Sequence, residues 1–322
     1  MSPTFKKFVN PLIKISIFVG LSIILYKQVF TNTSLSEAFS YLRSDVTGRS
    51  PLLIIVVVLM FVNWAVETAK WRLLVNRLDS ISFFRAFQGI LFGVAFSLFT
   101  PNRLGEYGGR VMVLEHHRIA AIVSTLIGSY SQIVVNTIFG ATAFFLYLIF
   151  FHEIAVYWIV AYSIFLFLGA GFLVISYFNI DIVSVIFNRY SIFKKLAQYV
   201  DVVKVYSAAD LRTLLFLSSC RYAVYCIQFY ALLKFFKSGL PFEFALVLVP
   251  SVFFIQSVLP TLAIADVSIR GEISLQVISE FATGGALNIL AASVLLWFIN
   301  LIIPAVMGGI AALSFQFVKD DD

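Results

Sequence analysis

The stretch Thr100-Pro101-Asn102-Arg103-Leu104-Gly105-Glu106-Tyr107-Gly108-Gly109-Arg110 interrupts two long apolar runs with a proline, three glycines, an acid and two bases. A second apolar run breaks in a similar way, where Leu259-Pro260 is followed by Asp266 and Arg270. In both breaks a proline ends an apolar segment and an arginine stands four residues after an acid, so Glu106 and Arg110, and likewise Asp266 and Arg270, share one helical face. A charge at the centre of a bilayer costs at least about 2.5–3.5 kcal/mol. Broken backbone and charge inside apolar segments therefore need a partner or a wet cavity.

The surrounding chain makes a bilayer the expected solvent. Of 322 residues, 61% are hydrophobic and 12% charged, whereas soluble domains carry roughly a quarter charged residues. Several apolar runs reach the ~20 residues of a spanning helix and lack the two-residue alternation of outer-membrane strands. The expected fold is an all-α membrane protein, a polytopic helical bundle forming a single integral domain over residues 1–322. Its first apolar run, about 12–30, is too long for a signal-peptide core and lacks a following small-residue cleavage site, so it is expected to remain as a helix. The formal charge of +6 reports orientation rather than nucleic-acid binding. Cys220 and Cys226 are six apart in one apolar helix and fit neither a metal pair nor a disulfide.

Full spans are expected near 12–30, 51–75, 119–151, 154–178, 211–236 and 284–317, about six in all, with shorter broken pieces near 82–118 and 241–282. Lys6, Lys7 and Lys14 place the N-terminus in the cytoplasm, and Lys70, Arg72, Arg77, Arg85, Arg103, Arg110 and Arg118 cluster around the first broken piece. Both ends of that piece therefore face the cytoplasm, which makes it a re-entrant hairpin. The second piece starts and ends outside by the same rule, and the C-terminus returns to the cytoplasm. Span, hairpin, span over 51–151 and again over 211–317 thus form an inverted repeat, the pattern of a transport site near the midplane. Between them, 179–210 reads as a cytoplasmic interfacial helix or loop, with apolar residues three or four apart from Ile182 to Val203.

The candidate binding residues are the ionisable groups at membrane depth: Glu67, Arg103, Glu106, Arg110, Arg221, Asp266 and Arg270. Arg221 lies ten residues into its expected span, roughly 15 Å deep. Glu106 and Asp266 are its expected partners, unless it snorkels to the interface. Gly105, Gly108 and Gly109 remove side chains where backbone must approach backbone or ligand, and Gly105 with Gly109 forms a small-xxx-small face. Ser124, Thr125, Ser129, Ser131, Gln132, Asn136 and Thr137 give the third span more polarity than lipid contact tolerates, so its inner half is expected to face protein or water, with interhelical hydrogen bonds as the ordinary use of these groups. His116-His117 has no ligand at metal spacing, and no nucleotide-binding loop or nucleophile elbow occurs. No metal and no cofactor are expected.

Pro101-Asn102-Arg103-Leu104-Gly105-Glu106 with Arg110 resembles the proline, x, arginine, x, glycine, glutamate, arginine motif of the flippase-like membrane region of the lysylphosphatidylglycerol synthase/flippase family. Lys70-Trp71-Arg72-Leu73-Leu74 and Leu259-Pro260 with Arg270 are similar to further blocks of that family, and the resemblance covers nearly the whole chain. Ala263-Ile264-Ala265 departs from it where many relatives have a glycine-rich turn. The resemblance implies movement of lipids with charged headgroups across a bacterial cytoplasmic membrane. The chain stops at Asp322, so a stand-alone member without the soluble aminoacyl-transferase domain is expected. Its partners would be membrane lipids, anionic or zwitterionic phospholipids, with room for a homo-oligomer and a separate lipid-modifying enzyme. In the expected mechanism Glu106 and Asp266 receive cationic groups while Arg103, Arg110, Arg221 and Arg270 receive phosphate. The alternatives are a membrane transferase on lipid-linked substrates, with Glu106 as general base, and a non-catalytic scaffold.

Overall fold

The computed structural model describes residues 49–100, 103–189, 199–259 and 263–315. The expected span at 12–30, both termini, Pro101, Asn102, Pro260 and the side chain of Asp266 lie outside the described set. Every regular element among the described residues is helical. Helix α1 (Ser50–Val75) begins with Pro51 in its first turn, where a missing N–H leaves no bond unmade. The Ser82 hydroxyl opens α2 (Phe83–Ser97) by accepting the Arg85 N–H at 3.2 Å. After the break come α3 (Gly105–Val111), the long α4 (Arg118–Phe151), α5 (Val156–Phe178) and the short α6 (Ile182–Arg189).

In the second part α7 (Ala208–Phe235) starts at a reciprocal capping box of Ser207 and Asp210, which sets its first turn three residues before the expected 211. Helices α8 (Phe242–Val258) and α9 (Ala263–Ile278) follow, and the last rod runs as α10 (Ala286–Trp297), a π-helical turn (Phe298–Ile302) and α11 (Ile303–Ser314). Pro304 accounts for the wide turn: it has no N–H for the Asn300 carbonyl, and its ring would crowd that oxygen in a regular helix.

The protein is a helical membrane protein. Among the described residues four stretches are long and apolar enough to cross a membrane: α1, α4, α5 and the rod 286–313. Helix α7 is as long as these, at 28 residues, but Arg221, Ser218 and Gln228 lower its hydropathy. Along α5 large apolar side chains stand exposed, Phe165 at 74% and Phe167 at 80%. Such a surface suits lipid tails rather than water.

The core lies between α1, α2 and α7 to α11, around fully buried Trp71, Phe92, Phe229 and Phe236. A smaller cluster joins α4, α5 and the start of α7 through Ile127, Tyr177 and Tyr206. The Tyr206 hydroxyl donates to the Leu74 carbonyl at 2.9 Å and also meets Ser124 Oγ at 2.7 Å, tying this cluster to α1 and α4.

The amphipathic pattern from Ile182 to Val203 is not one straight helix. Asp201 accepts hydrogen bonds from Ser184 and, at 3.0 Å, from Asn188. These bonds hold α6 against the turn Asp201–Val205; residues 190–198 between them lie outside the described residues. The Lys204 ammonium at 2.8 Å and the Ser184 hydroxyl hold the Asp201 carboxyl down at about 2. This tie is complete above the ordinary carboxylate range and is lost as pH falls through about 2.

Helices α2 and α3 form an antiparallel hairpin in backbone contact. A Cβ on Gly109 would sit 2.7 Å from the Phe92 carbonyl oxygen and 2.8 Å from Gly93 Cα, and one on Gly89 2.8 Å from the Arg110 carbonyl oxygen. Gly105 meets the Phe96 backbone, whereas Gly108 faces open space and takes no part in close approach. Gly109→Ala must spread the hairpin and is expected to destabilise the protein by about 1–3 kcal/mol. Gly108→Ala is expected to be neutral or stabilising, by up to about 1 kcal/mol through helix propensity. Thermal unfolding in detergent measures both, and equal melting temperatures for the two variants would refute the packing account.

Candidate functional site

Glu67 stands at the middle of the bundle, on the face of α1 that also carries Trp64 and Trp71. Three bases surround its carboxylate. Lys70 Nζ from the next turn lies 3.0 Å from Oε2, Arg110 Nη1 from α3 lies 2.7 Å from Oε1, and Arg221 Nη1 from α7 bonds Oε2. Glu67, Lys70 and Arg110 are each at least nine-tenths buried. A lone buried carboxylate would be costly, and so would each base alone; together they neutralise part of one another's charge.

The network extends outward from this centre. Arg110 Nη2 bonds the Glu106 carboxylate one turn earlier, and Arg103 Nε approaches Glu106 Oε2 at 4.0 Å. Arg221 Nε donates to Asn63 Oδ1 at 2.8 Å, and its guanidinium lies over the Trp64 and Tyr225 rings at 5.6 and 5.9 Å. Asn63 Nδ2 in turn reaches Asn300 Oδ1 at 3.4 Å, in the π-helical turn of the last rod. Lys70 Nζ also reaches Ser218 Oγ at 3.4 Å, which meets Ser131 Oγ at 2.8 Å. On the other side Arg270 Nη1 donates to Gln256 Oε1 at 3.1 Å, joining α8 to α9.

These groups line one cavity of about 540 Å³. Arg103, Glu106, Arg110, Arg221 and Arg270 all border it, with Glu67 and Lys70. Ser129, Gln132 and Asn136 of α4 reach it as well, three and four residues apart and so on one helical face. Gly105 and Gly109 serve the hairpin beneath. Arg103 stands at the break itself, with φ of 59° and a side chain 44% exposed. A left-handed arginine is uncommon and strained. The Thr100 hydroxyl accepts the Gly105 N–H at 2.6 Å, which supports the turn.

The pairing of Arg221 differs from the expectation. Among the described residues its carboxylate partner is Glu67 rather than Glu106, because α1 and α7 pack side by side at mid-length and bring Asn63 and Glu67 to it; the expected pairing with Asp266 falls on a side chain outside the described residues. Lys70, counted from the sequence among cytoplasmic bases, is 2% exposed inside the bundle. The signal for it was local: an acid and a base three apart, flanked by tryptophans, in an otherwise apolar helix.

Among the described lining residues five bases, Lys70, Arg103, Arg110, Arg221 and Arg270, face two acids, Glu67 and Glu106, a formal excess of three positive charges. Both acids already hold bases. Among these described residues the balance is positive, and a field of that sign attracts anions. No group of three His, Cys, Asp or Glu side chains able to hold a metal occurs among the described residues.

Compared with family models, curated proteins and solved structures, the chain has no match in any of the three.

Replacing Glu67 leaves Lys70 and Arg221 in the low-dielectric interior without a carboxylate partner and Arg110 with Glu106 alone. Glu67→Gln is expected to cost about 3–5 kcal/mol of stability, the usual price of breaking a buried pair. Chemical denaturation in detergent measures it, alongside exposed Glu115→Gln at the Arg85 pair, expected within about 1 kcal/mol. Equal effects at the two positions would contradict a central role for Glu67.

Proposed function

We propose that the protein is a lipid flippase or scramblase that moves a charged phospholipid or lipid-linked headgroup through the Glu67 cavity while the acyl chains remain in the bilayer. The observation that carries this reading is the convergence of five bases from both parts of the chain on one cavity inside an apolar bundle. Buried ionisable groups in membrane segments mark pathways more often than structure. The excess of bases favours an anionic headgroup over an ammonium, since Glu67 and Glu106 are occupied by their own partners.

The reading includes the inverted repeat, with two re-entrant hairpins and about six spans. Its support is reciprocal packing. Helices α1 and α7 pair, the first hairpin helix α2 packs on the last rod of the second half, and its counterpart α8 packs on α4 of the first. Gly308 opens the one contact, against Leu91 and Ala95, and Gly140 the other, against Phe254. Each glycine stands 22 residues beyond the first residue of its rod, Ala286 or Arg118. Two halves inserted in opposite senses would give alternate access from either side of the membrane.

The same reading places the chain in the lysylphosphatidylglycerol synthase/flippase family, in a bacterial cytoplasmic membrane with both termini inside, on the strength of the motif around Glu106. Lacking a nucleotide-binding motif, transport runs downhill or on an ion gradient. A membrane potential biases a charged headgroup by about 2.3 kcal/mol per charge per 100 mV. Glu106, the general base of a transferase alternative, is tied to Arg110, which disfavours that role.

Reconstitution in liposomes with fluorescent phosphatidylglycerol, read by dithionite quenching, tests the proposal. Leaflet exchange is expected to exceed that of empty vesicles, and Arg103→Gln, at an exposed base, is expected to slow it at least about tenfold. Exchange no faster than in empty vesicles across anionic and zwitterionic lipids would overturn transport. A change in lipid mass during the assay would favour the transferase.

A further inference from the structure

The cavity has two chemically different walls. One is the cationic network already described. The other is formed by α4 and α7, where Asn136 and Gln132 face the cavity from one helix and Tyr222 and Tyr225 from the other. Gln132 donates Nε2 to the Ser218 carbonyl at 3.4 Å, while its Oε1 has no partner. The Tyr222 hydroxyl also lacks one, although only 8% of the residue is exposed. Among the described residues the Asn136 amide and the Tyr225 hydroxyl make no hydrogen bond to protein either. Trp64 and Trp297, on the flanking helices, each hold an indole N–H without a partner.

Buried polar groups in folded proteins are almost always paired, so Gln132 Oε1 and the Tyr222 hydroxyl, with half-buried Asn136 and Tyr225 beside them, ask for a partner that the chain does not supply. The mixture of types narrows the partner. A phosphate only accepts hydrogen bonds and an ammonium only donates them, but this wall offers an acceptor at Gln132 Oε1, indole donors, and an amide and two phenols that do both. Hydroxyl groups match such a set. Tyr222, Tyr225 and Trp64 also bring apolar ring surface to the lining, which suits the C–H edges of a ring or polyol. A volume of about 540 Å³ is in the range of small-molecule sites, room for a headgroup and not for acyl chains.

Resting on the lipid-translocation reading, we infer that the cavity takes a headgroup in which a phosphate is esterified to a polyol or sugar. Arg103 meets the phosphate, and Asn136 and Tyr225 read the hydroxyls, with Gln132 and Tyr222 behind them. This makes the α4–α7 wall the specificity element and the base network the anchor. A headgroup of phosphate alone satisfies the anchor and leaves the second wall unpaired.

The test is binding by the full-length protein in detergent, measured by native mass spectrometry against phosphatidylinositol, phosphatidylglycerol, phosphatidic acid and phosphatidylcholine. The hydroxylated anionic lipids are expected to bind about tenfold more tightly than phosphatidic acid, which in turn exceeds phosphatidylcholine. Asn136→Leu removes no hydrogen bond within the protein, and Tyr225→Phe keeps the ring beneath Arg221. Each is expected to bring the ratio of phosphatidylinositol to phosphatidic acid affinity toward one, with melting temperature unchanged. Phosphatidic acid binding as tightly as phosphatidylinositol, or variants that keep the wild-type ratio, would overturn the hydroxyl recognition while leaving the anionic-lipid reading intact. Anionic lipids binding no better than phosphatidylcholine would overturn that reading itself. Displacement of bound lipid by glycerol 3-phosphate at millimolar concentration would reassign the site to a soluble phosphate.

Discussion

One carboxylate facing three bases holds the centre of this bundle together. Glu67 draws Lys70 from its own helix, Arg110 from the first hairpin and Arg221 from α7. In an apolar interior none of the four is stable alone, so α3 and α7 cannot leave α1 without uncovering unpaired charge. The backbone contacts of Gly89, Gly93 and Gly109 then press α2 against α3 and fix how far Arg110 reaches. The cavity is the space left beside this network, and among its described lining residues bases outnumber acids five to two.

Apolar run length was enough to locate α1, α4, α5 and the last rod within a few residues, because burying a full turn of polar backbone and side chain in lipid is so costly that boundaries are marked by composition. The breaks after Thr100 and Leu259 were legible for the same reason. Which charges meet was not legible, since Glu67 and Arg221 are 154 residues apart and their meeting depends on how α1 and α7 pack. Lys70 misled for a related reason: a base near a span end counts as cytoplasmic by position, yet its neighbour Glu67 draws it inside. Nor did periodicity show that Asp201 meets Ser184, seventeen residues earlier.

Two points of irregular backbone border the cavity. Arg103 takes a left-handed conformation at the first break, and the last rod opens into a π-helical turn where Asn300 reaches Asn63. Both lie where a regular helix would have presented only closed backbone to the site. Such departures persist when surrounding packing holds them, here the Thr100 hydroxyl on one side and Pro304 on the other.

We propose that two halves enter the membrane in opposite senses and meet at this network. Single cysteines at His116, beside the base of the first hairpin, and at Glu280, beside that of the second, test it in a variant lacking Cys220 and Cys226. Both positions are exposed. Labelling sealed, oriented vesicles with a membrane-impermeant maleimide should modify the two positions from opposite faces, 116 from the cytoplasmic side and 280 from the external side. Modification of both from the same face would contradict the inverted halves and, with them, the account of how the cavity is reached.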